Sequence, residues 1–320
     1  MSPSAADERI RSLRPPRKHV DPYTAHGSIV EEERRPNGRI ERALTVFLAG
    51  AECPFTCSFC DLWQWTLDGP TPAGALGRQL GTVLAGFGLS RSKGTALDRL
   101  KIYNASNFFD PRAVPADDLR AIAEMSAEFG ALTVESHANT IGDSTVAFAR
   151  EIGARLEVAM GLETIHPAAA AQMNKRLDPS RFDRAAGFLS DHDIDLRVFV
   201  LLGAPYIDAE ESVVWTLRTV EYAVMRGAAV VSIIPVRGGN GEMERLESLG
   251  QFTPPTLSQL EEVLDAAMHW PRAVVTADLW DAERLVVCDA CGPKRIERMR
   301  SMNLTGRAAP RISCAECGAA

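Results

Sequence analysis

The chain has 320 residues, 46% of them hydrophobic and 24% charged, and a formal net charge of −7. That is ordinary for a globular protein with room for one α/β domain of about 250 residues and a small appendage, and it excludes wholesale disorder. No overall positive field draws the chain to nucleic acid, no run approaches the roughly 18 apolar residues of a membrane span, and Met1 to Val20 is polar and rich in Arg and Pro rather than a signal core. A cytoplasmic location with no membrane partner is expected. All seven cysteines stand in C-x3-C-x2-C or C-x2-C groups, which suits metal ligation in a reducing compartment better than a disulfide framework.

Residues 1–42 carry Pro15-Pro16, several arginines and the acidic run Glu31 to Glu33, with little periodicity, and read as a loosely ordered arm or packing strap. Ala43 to Ala49 is then a short apolar run ending at Gly50, the pattern of a buried strand. Helices are predicted over 76–87, 116–129, 146–152, 181–189, 210–225 and 257–270. Strands are predicted over 97–103, 132–135, 156–161, 196–202 and 229–235 between them. Six strands each followed by a helix imply a parallel sheet. The predicted fold class is therefore α/β, a partial (βα)6 TIM-like barrel over residues 43–271, with a small C-terminal four-cysteine metal module over 272–320. In such barrels the chemistry gathers at the C-terminal strand ends, and Cys53, Cys57 and Cys60 follow the first core strand directly.

Cys53-Pro-Phe-Thr-Cys57-Ser-Phe-Cys60 offers three thiolates in eight residues. They can ligate three irons of a 4Fe-4S cubane and leave the fourth without a protein ligand. An open iron can chelate the amino and carboxylate groups of S-adenosylmethionine (SAM), whose reductive cleavage releases a 5'-deoxyadenosyl radical, with the protein supplying binding and orientation. The spacing and its place after a first strand resemble the radical SAM superfamily, and the resemblance extends over most of Ala43 to Trp270. It implies a 4Fe-4S cluster and SAM as cofactors, with Phe59, the residue before the last cysteine, near the adenine. Where the family usually has a Gly-Gly-Glu-like turn that receives the SAM amino group, this chain has Asn104-Ala105-Ser106-Asn107, so Asn104 and Ser106 occupy the position with other chemistry.

Carboxylates at strand ends in a barrel mouth are costly to bury alone. Glu135 and Glu163 therefore suit a SAM ammonium or a ribose hydroxyl pair, the alternative being a salt bridge to Lys or Arg. Lys175 and Arg176 can supply that partner or hold the SAM carboxylate. Gly203 would let backbone approach the adenine, or simply make a turn. Tyr103 and His137 are candidates for hydrogen-atom or proton transfer, though a packed tyrosine is the commoner outcome and His137 has no identifying spacing. Trp63 and Trp65 read as walls against water or as core.

The order Tyr103 to Asp110, Val134-Glu-Ser136, Met160-Gly-Leu-Glu163, Asn174-Lys-Arg176 and Leu202-Gly-Ala-Pro205 resembles the archaeosine-synthase radical SAM subunit. It is more distantly similar to the radical SAM part of the elongator acetyltransferase. That likeness implies a tRNA base or nucleoside as substrate, with radical tailoring of a small metabolite or peptide as the alternative. A non-catalytic Fe-S or zinc protein that binds RNA is the reading of another class. An electron donor such as flavodoxin or ferredoxin is the expected partner.

Cys288-Asp-Ala-Cys291 and Cys314-Ala-Glu-Cys317, 22 residues apart, make four thiolates, for which zinc and a second Fe-S cluster both remain open. Between them Lys294, Arg295, Arg298, Arg300, Arg307 and Arg311 face one acid, Glu297. This is a local basic stretch where a tRNA phosphate backbone would dock.

Overall fold

A computed structural model describes residues 4–89 and 96–318; the first three residues of the predicted arm and the last two of the C-terminal extension lie outside these. The elements run α1 (Ala5–Ser12), β1 (Gly27–Arg34), β2 (Ile40–Phe47), α2 (Ala75–Gly86), β3 (Arg99–Tyr103), α3 (Ala116–Ser126), β4 (Ala131–Glu135), α4 (Asp143–Glu151) and β5 (Arg155–Glu163). They continue with α5 (Pro167–Gln172), α6 (Pro179–Asp191), β6 (Asp195–Leu202), α7 (Ser212–Met225), β7 (Val230–Pro235), α8 (Glu242–Ser248), α9 (Leu257–Ala267), β8 (Val274–Ala277) and α10 (Gly292–Thr305). All eight strands form one curled half-barrel sheet in chain order. Every neighbouring pair is parallel except β1 with β2. The six βα units from β2 to α9 are those the alternating pattern predicts.

Residues 27–34, which lack an apolar period, form an edge strand instead of a loose arm. The reason lies in the two faces of the sheet. Alternate residues point to opposite faces. Leu44, Val46, Leu100, Ile102, Leu132, Val134, Val158, Val198, Val231 and Ile233 all face the surrounding helices and are buried in one core. The intervening positions face the lumen, and in its lower half they are charged. Lys101 meets Glu31 at 2.7 Å, Arg197 meets Glu33 at 2.7 Å and Glu157 at 2.8 Å, and Arg99 meets Glu41 at 2.8 Å. Arg35 reaches the other oxygen of Glu157 at 2.5 Å.

Burial alone would raise the Glu33 carboxyl, but Arg197 and Lys101 outweigh it and hold its pKa at about 2. Burial likewise opposes ionisation of Glu157, which Arg197, Arg99 and Arg35 reverse, driving its pKa far down. A strand that contributes Glu31 and Glu33 to such a lumen looks like a solvated acidic run in sequence.

The curl leaves β1 and β8 as the sheet's two edges, and α10 packs against both. Ile296, Met299 and Met302 of α10 enter the main core. Asn303 donates to the carbonyl of Ala277 at 2.8 Å and accepts from its N–H at 3.0 Å. One side-chain amide thus satisfies both backbone groups of that edge residue, a protection that unpaired strand edges need.

Candidate active site at the barrel mouth

The cysteine loop follows β2, and side chains and backbone from distant parts of the chain pin it. Asn107 donates to the Cys53 Sγ at 3.4 Å and accepts from the His137 N–H at 2.9 Å. Asn240 donates to the carbonyls of Ser58 at 2.8 Å and Cys60 at 3.2 Å, and Ser58 N–H donates to Met173 O at 2.9 Å. Phe55 stacks on the His137 ring with centroids 4.1 Å apart. None of the three thiols is in a disulfide. Burial pushes the Cys57 thiol up to about 12 and Cys60 well above its usual value, so a thiolate here needs a cation, as an iron cluster supplies.

Glu135, at the end of β4, places its carboxylate on the turn after β3. It accepts from Asn104 N–H at 2.9 Å, and the N–H groups of Ala105 and Ser106 also stabilise its charge. Burial nevertheless dominates and raises its pKa to about 7. The acid that the turn itself lacks is therefore supplied by the next strand. On the same turn, both side-chain polar atoms of Asn104 and the hydroxyl of Ser106 are buried without a hydrogen-bond partner. Such groups cost about 1–3 kcal/mol each when left unpaired, which is the signature expected of a cradle whose ligand brings the partners.

Glu163 pairs with Lys175 at 2.5 Å. A Cβ at Gly161 would come within 2.0 Å of the Glu163 oxygen and 2.6 Å of the Lys175 nitrogen, so only glycine leaves room for the pair. Glu163, Asn174 and Arg176 are all left-handed, with φ of 68°, 54° and 57°. This strain is of the kind that collects at functional sites. Burial would lower the Lys175 pKa, but Glu163 with Cys57 and Cys53 raises it, and its ammonium lies 5.7 Å from the Phe59 ring centroid. Arg176 turns away from this group: its guanidinium meets Asp7 at 2.5 Å. The sequence offers Lys175 and Arg176 as equals; the backbone aims only the lysine at the cysteines.

Of the other predicted residues, Gly203 has φ 76°, and a Cβ there would lie 2.9 Å from Pro255, so the approach that demands glycine is made by proline. His137 has both ring nitrogens engaged, Nδ1 with Asn139 N–H at 3.1 Å and Nε2 with Lys175 O at 3.1 Å. Burial and the Lys175 charge lower its pKa to about 3, so the ring is neutral at neutral pH and braces the Phe55 stack. Tyr103 faces the lumen from the end of β3, and its hydroxyl makes no hydrogen bond among the described residues. It joins Phe47 at 6.1 Å and Phe199 at 6.3 Å, and Phe47 meets the 57% exposed Trp280 edge-on at 5.0 Å. This aromatic crescent lines the upper lumen above the charged floor. Trp280 had no signal in sequence, since it follows a strand of only four residues. Trp63 is buried under Arg14, and Trp65 is half-exposed beside Lys18.

At the far end, the Sγ atoms of Cys288, Cys291, Cys314 and Cys317 all lie within 4.8 Å of one another, with Cys288–Cys314 at 4.0 Å and Cys291–Cys317 at 3.6 Å. Four sulfurs on one tetrahedral ion with bonds of about 2.3 Å sit about 3.8 Å apart. Thiolates on separate irons of a cubane are spread by the cubane itself. The donor set fits a single ion.

Four of the six basic residues between these cysteines pair with acids of the chain, Arg295 and Arg298 in largely buried positions and Arg300 and Arg311 at the surface. Arg295 pairs with Glu261, Arg298 and Arg311 with Asp265, and Arg300 with Glu297. That leaves Lys294 and Arg307 of the six expected to meet phosphate.

The curled βα sheet that carries the three thiols is the fold of two solved structures. The archaeal Methanocaldococcus infernus Elp3 with an N-terminal deletion has a TM-score of 0.50 and 14% identity, over 76% of this chain and 60% of that one. Methylornithine synthase (PylB) has a TM-score of 0.50 and 16% identity, over 72% of this chain and 64% of that one. The chain thus spans less than two thirds of the length of each. No protein-family model and no curated protein matches it. Among the described residues no helix is long and apolar enough to cross a membrane.

Proposed function

We propose that the chain is a radical SAM enzyme that abstracts a hydrogen atom from a nucleobase-type substrate. The observation that carries this reading is the set of unpartnered buried groups, Asn104 and Ser106, facing the same turn as the Glu135 carboxylate and beside a loop of three free thiols. Cys53, Cys57 and Cys60 would hold a 4Fe-4S cluster. Glu135 would accept from the SAM amino group, Asn104 and Ser106 would supply the remaining polar contacts, and Lys175 would meet the carboxylate end. Phe59 would pack against the adenine side. When bound, the reduced cluster supplies the electron that splits the SAM sulfonium into methionine and a 5'-deoxyadenosyl radical.

The chain's own part is to bind, to orient and to keep water from the reacting carbon. Reconstituted, reduced protein should release 5'-deoxyadenosine from SAM. A yield no greater than that of Cys57→Ala would end this reading.

The crescent of Phe47, Tyr103, Phe199 and Trp280 supports a flat ring as the substrate, since aromatic faces stack on bases at about 1–3 kcal/mol each. The neutralised basic stretch favours a free nucleoside over a whole tRNA, because phosphate docking depends on unpaired Lys and Arg. Binding of nucleosides that is insensitive to salt is expected; tRNA binding that falls steeply with salt would restore the larger substrate. A flavodoxin- or ferredoxin-type protein is the proposed electron donor, and the cytoplasm the proposed compartment. For the C-terminal cysteines we assign zinc, on the strength of their sulfur separations. Residues 1–42, 43–271 and 272–320 are proposed as arm, catalytic core and metal-binding extension.

A further inference from the structure

The N-terminal helix α1 is short and lies far in sequence from the cysteine loop, yet its Asp7 is only 2% exposed. One oxygen of the carboxylate accepts from the Thr56 hydroxyl and from Asn174 Nδ2 at 2.9 Å. The other accepts from Arg176 at 2.5 Å and from the Ser4 N–H at 2.7 Å, within the capping box of the helix. Asn174 also donates to Thr56 O at 2.9 Å and to Thr56 Oγ1 at 2.8 Å. Burial works to raise the Asp7 pKa, but the bonds from Thr56, Ser4 and Asn174 win and hold it well below the usual carboxylate range. The Ser4 hydroxyl donates to the same carboxylate at 2.9 Å, so the group is an anion shared by donors of four residues.

Apart from Ser4, the cap of its own helix, those donors come from two places. Thr56 immediately precedes Cys57. Asn174 and Arg176 flank Lys175 and are the two left-handed residues that aim its ammonium at Glu163. Further along the arm, Arg14 meets Glu52, the neighbour of Cys53, at 2.7 Å, and Arg17 binds the other oxygen of Glu52.

We infer that Asp7 is a positioning residue for the cofactor site: it locks the cysteine loop and the Lys175 turn into one register, so that the thiol cluster and the cationic contact face the same ligand. This rests on the SAM reading above. An uncharged amide at position 7 keeps the shape but loses acceptor capacity and the anion that holds Arg176. The strained turn then relaxes toward ordinary backbone geometry, and Lys175 leaves its place.

The test is a double-mutant cycle on full-length, anaerobically reconstituted protein, with SAM itself as the probe and the dissociation constant read by equilibrium dialysis. Wild type, Asp7→Asn, Lys175→Met and the double variant are compared, with iron content measured on each. Asp7→Asn is expected to keep about four irons and to weaken SAM about tenfold, while adding little in the Lys175→Met background. Asp7→Asn that binds SAM as wild type does, or whose effect multiplies in full with that of Lys175→Met, overturns the inference. If Asp7→Asn loses its iron, Asn174→Ala cuts the same tie from the other side and is judged by the same coupling. Wild type that fails to bind SAM would refute the parent reading instead, and the wild-type arm reports that separately.

Discussion

The two cysteine sites occupy opposite regimes of one chemistry. Cys53, Cys57 and Cys60 lie at the mouth of the lumen, beside buried polar groups that lack partners. Cys288, Cys291, Cys314 and Cys317 converge on one point, either side of a helix whose Arg295, Arg298 and Arg300 pair with acids of the chain. The first offers three thiols among strained backbone; the second offers four thiols around one point. The difference teaches that thiolate number matters less than what the surrounding chain leaves unpaired. At the first site the unpaired groups of Asn104 and Ser106 share one turn with the Glu135 carboxylate, which is where a ligand would find its contacts.

That contrast can be broken at either end. The largest effect is expected from Cys291→Ser. Structural zinc contributes apparent binding energies of about 10–16 kcal/mol in small domains, so loss of the ion should free α10 and expose the edges of β1 and β8. Limited proteolysis should then cut the C-terminal segment first, while iron at the other site stays. Loss of iron along with the zinc would mean that the two sites are not separable. Counting metals on intact protein gives the companion result: about four irons and one zinc, against about eight irons if both sites hold clusters.

The pH dependence is a subtler probe. With its pKa raised to about 7, Glu135 is neutral below that pH and ionised above it. SAM affinity should therefore increase as pH rises through about 7, and Glu135→Gln should flatten the curve. In the protein without SAM the sign reverses. Between the ordinary carboxyl value and about 7 the unfolded chain is ionised and the folded one is not, so stability should fall as pH rises across that window. A melting profile that is flat there would place Glu135 in a more polar setting. Smallest of all, Asn303→Ala removes the two bonds to Ala277 at the sheet edge and should cost about 1–3 kcal/mol by leaving backbone groups unpaired, visible as a lower melting temperature with unchanged iron.

Sequence made the βα rhythm and both cysteine groups plain, because apolar outward faces and thiolate spacing are local signals. It hid β1, since Glu31 and Glu33 look solvated unless Lys101 and Arg197 are known to face them. It also left Lys175 and Arg176 undivided: which of the two enters the site depends on left-handed backbone at Asn174 and Arg176 and on an acid 168 residues upstream of Lys175, at Asp7. The basic stretch after Cys291 reads as bare charge for the complementary reason. Glu261 and Asp265, which neutralise much of it, lie on α9, outside the stretch itself.

The charged floor of the lumen has a consequence for traffic. Glu31, Glu33, Glu41 and Glu157 face Arg35, Arg99, Lys101 and Arg197, four of each sign, and opening a passage through them would strand buried ions at several kcal/mol apiece. The half-barrel is therefore corked from below. On the reading proposed above, a substrate would enter and leave by one door, the end that carries the cysteine loop.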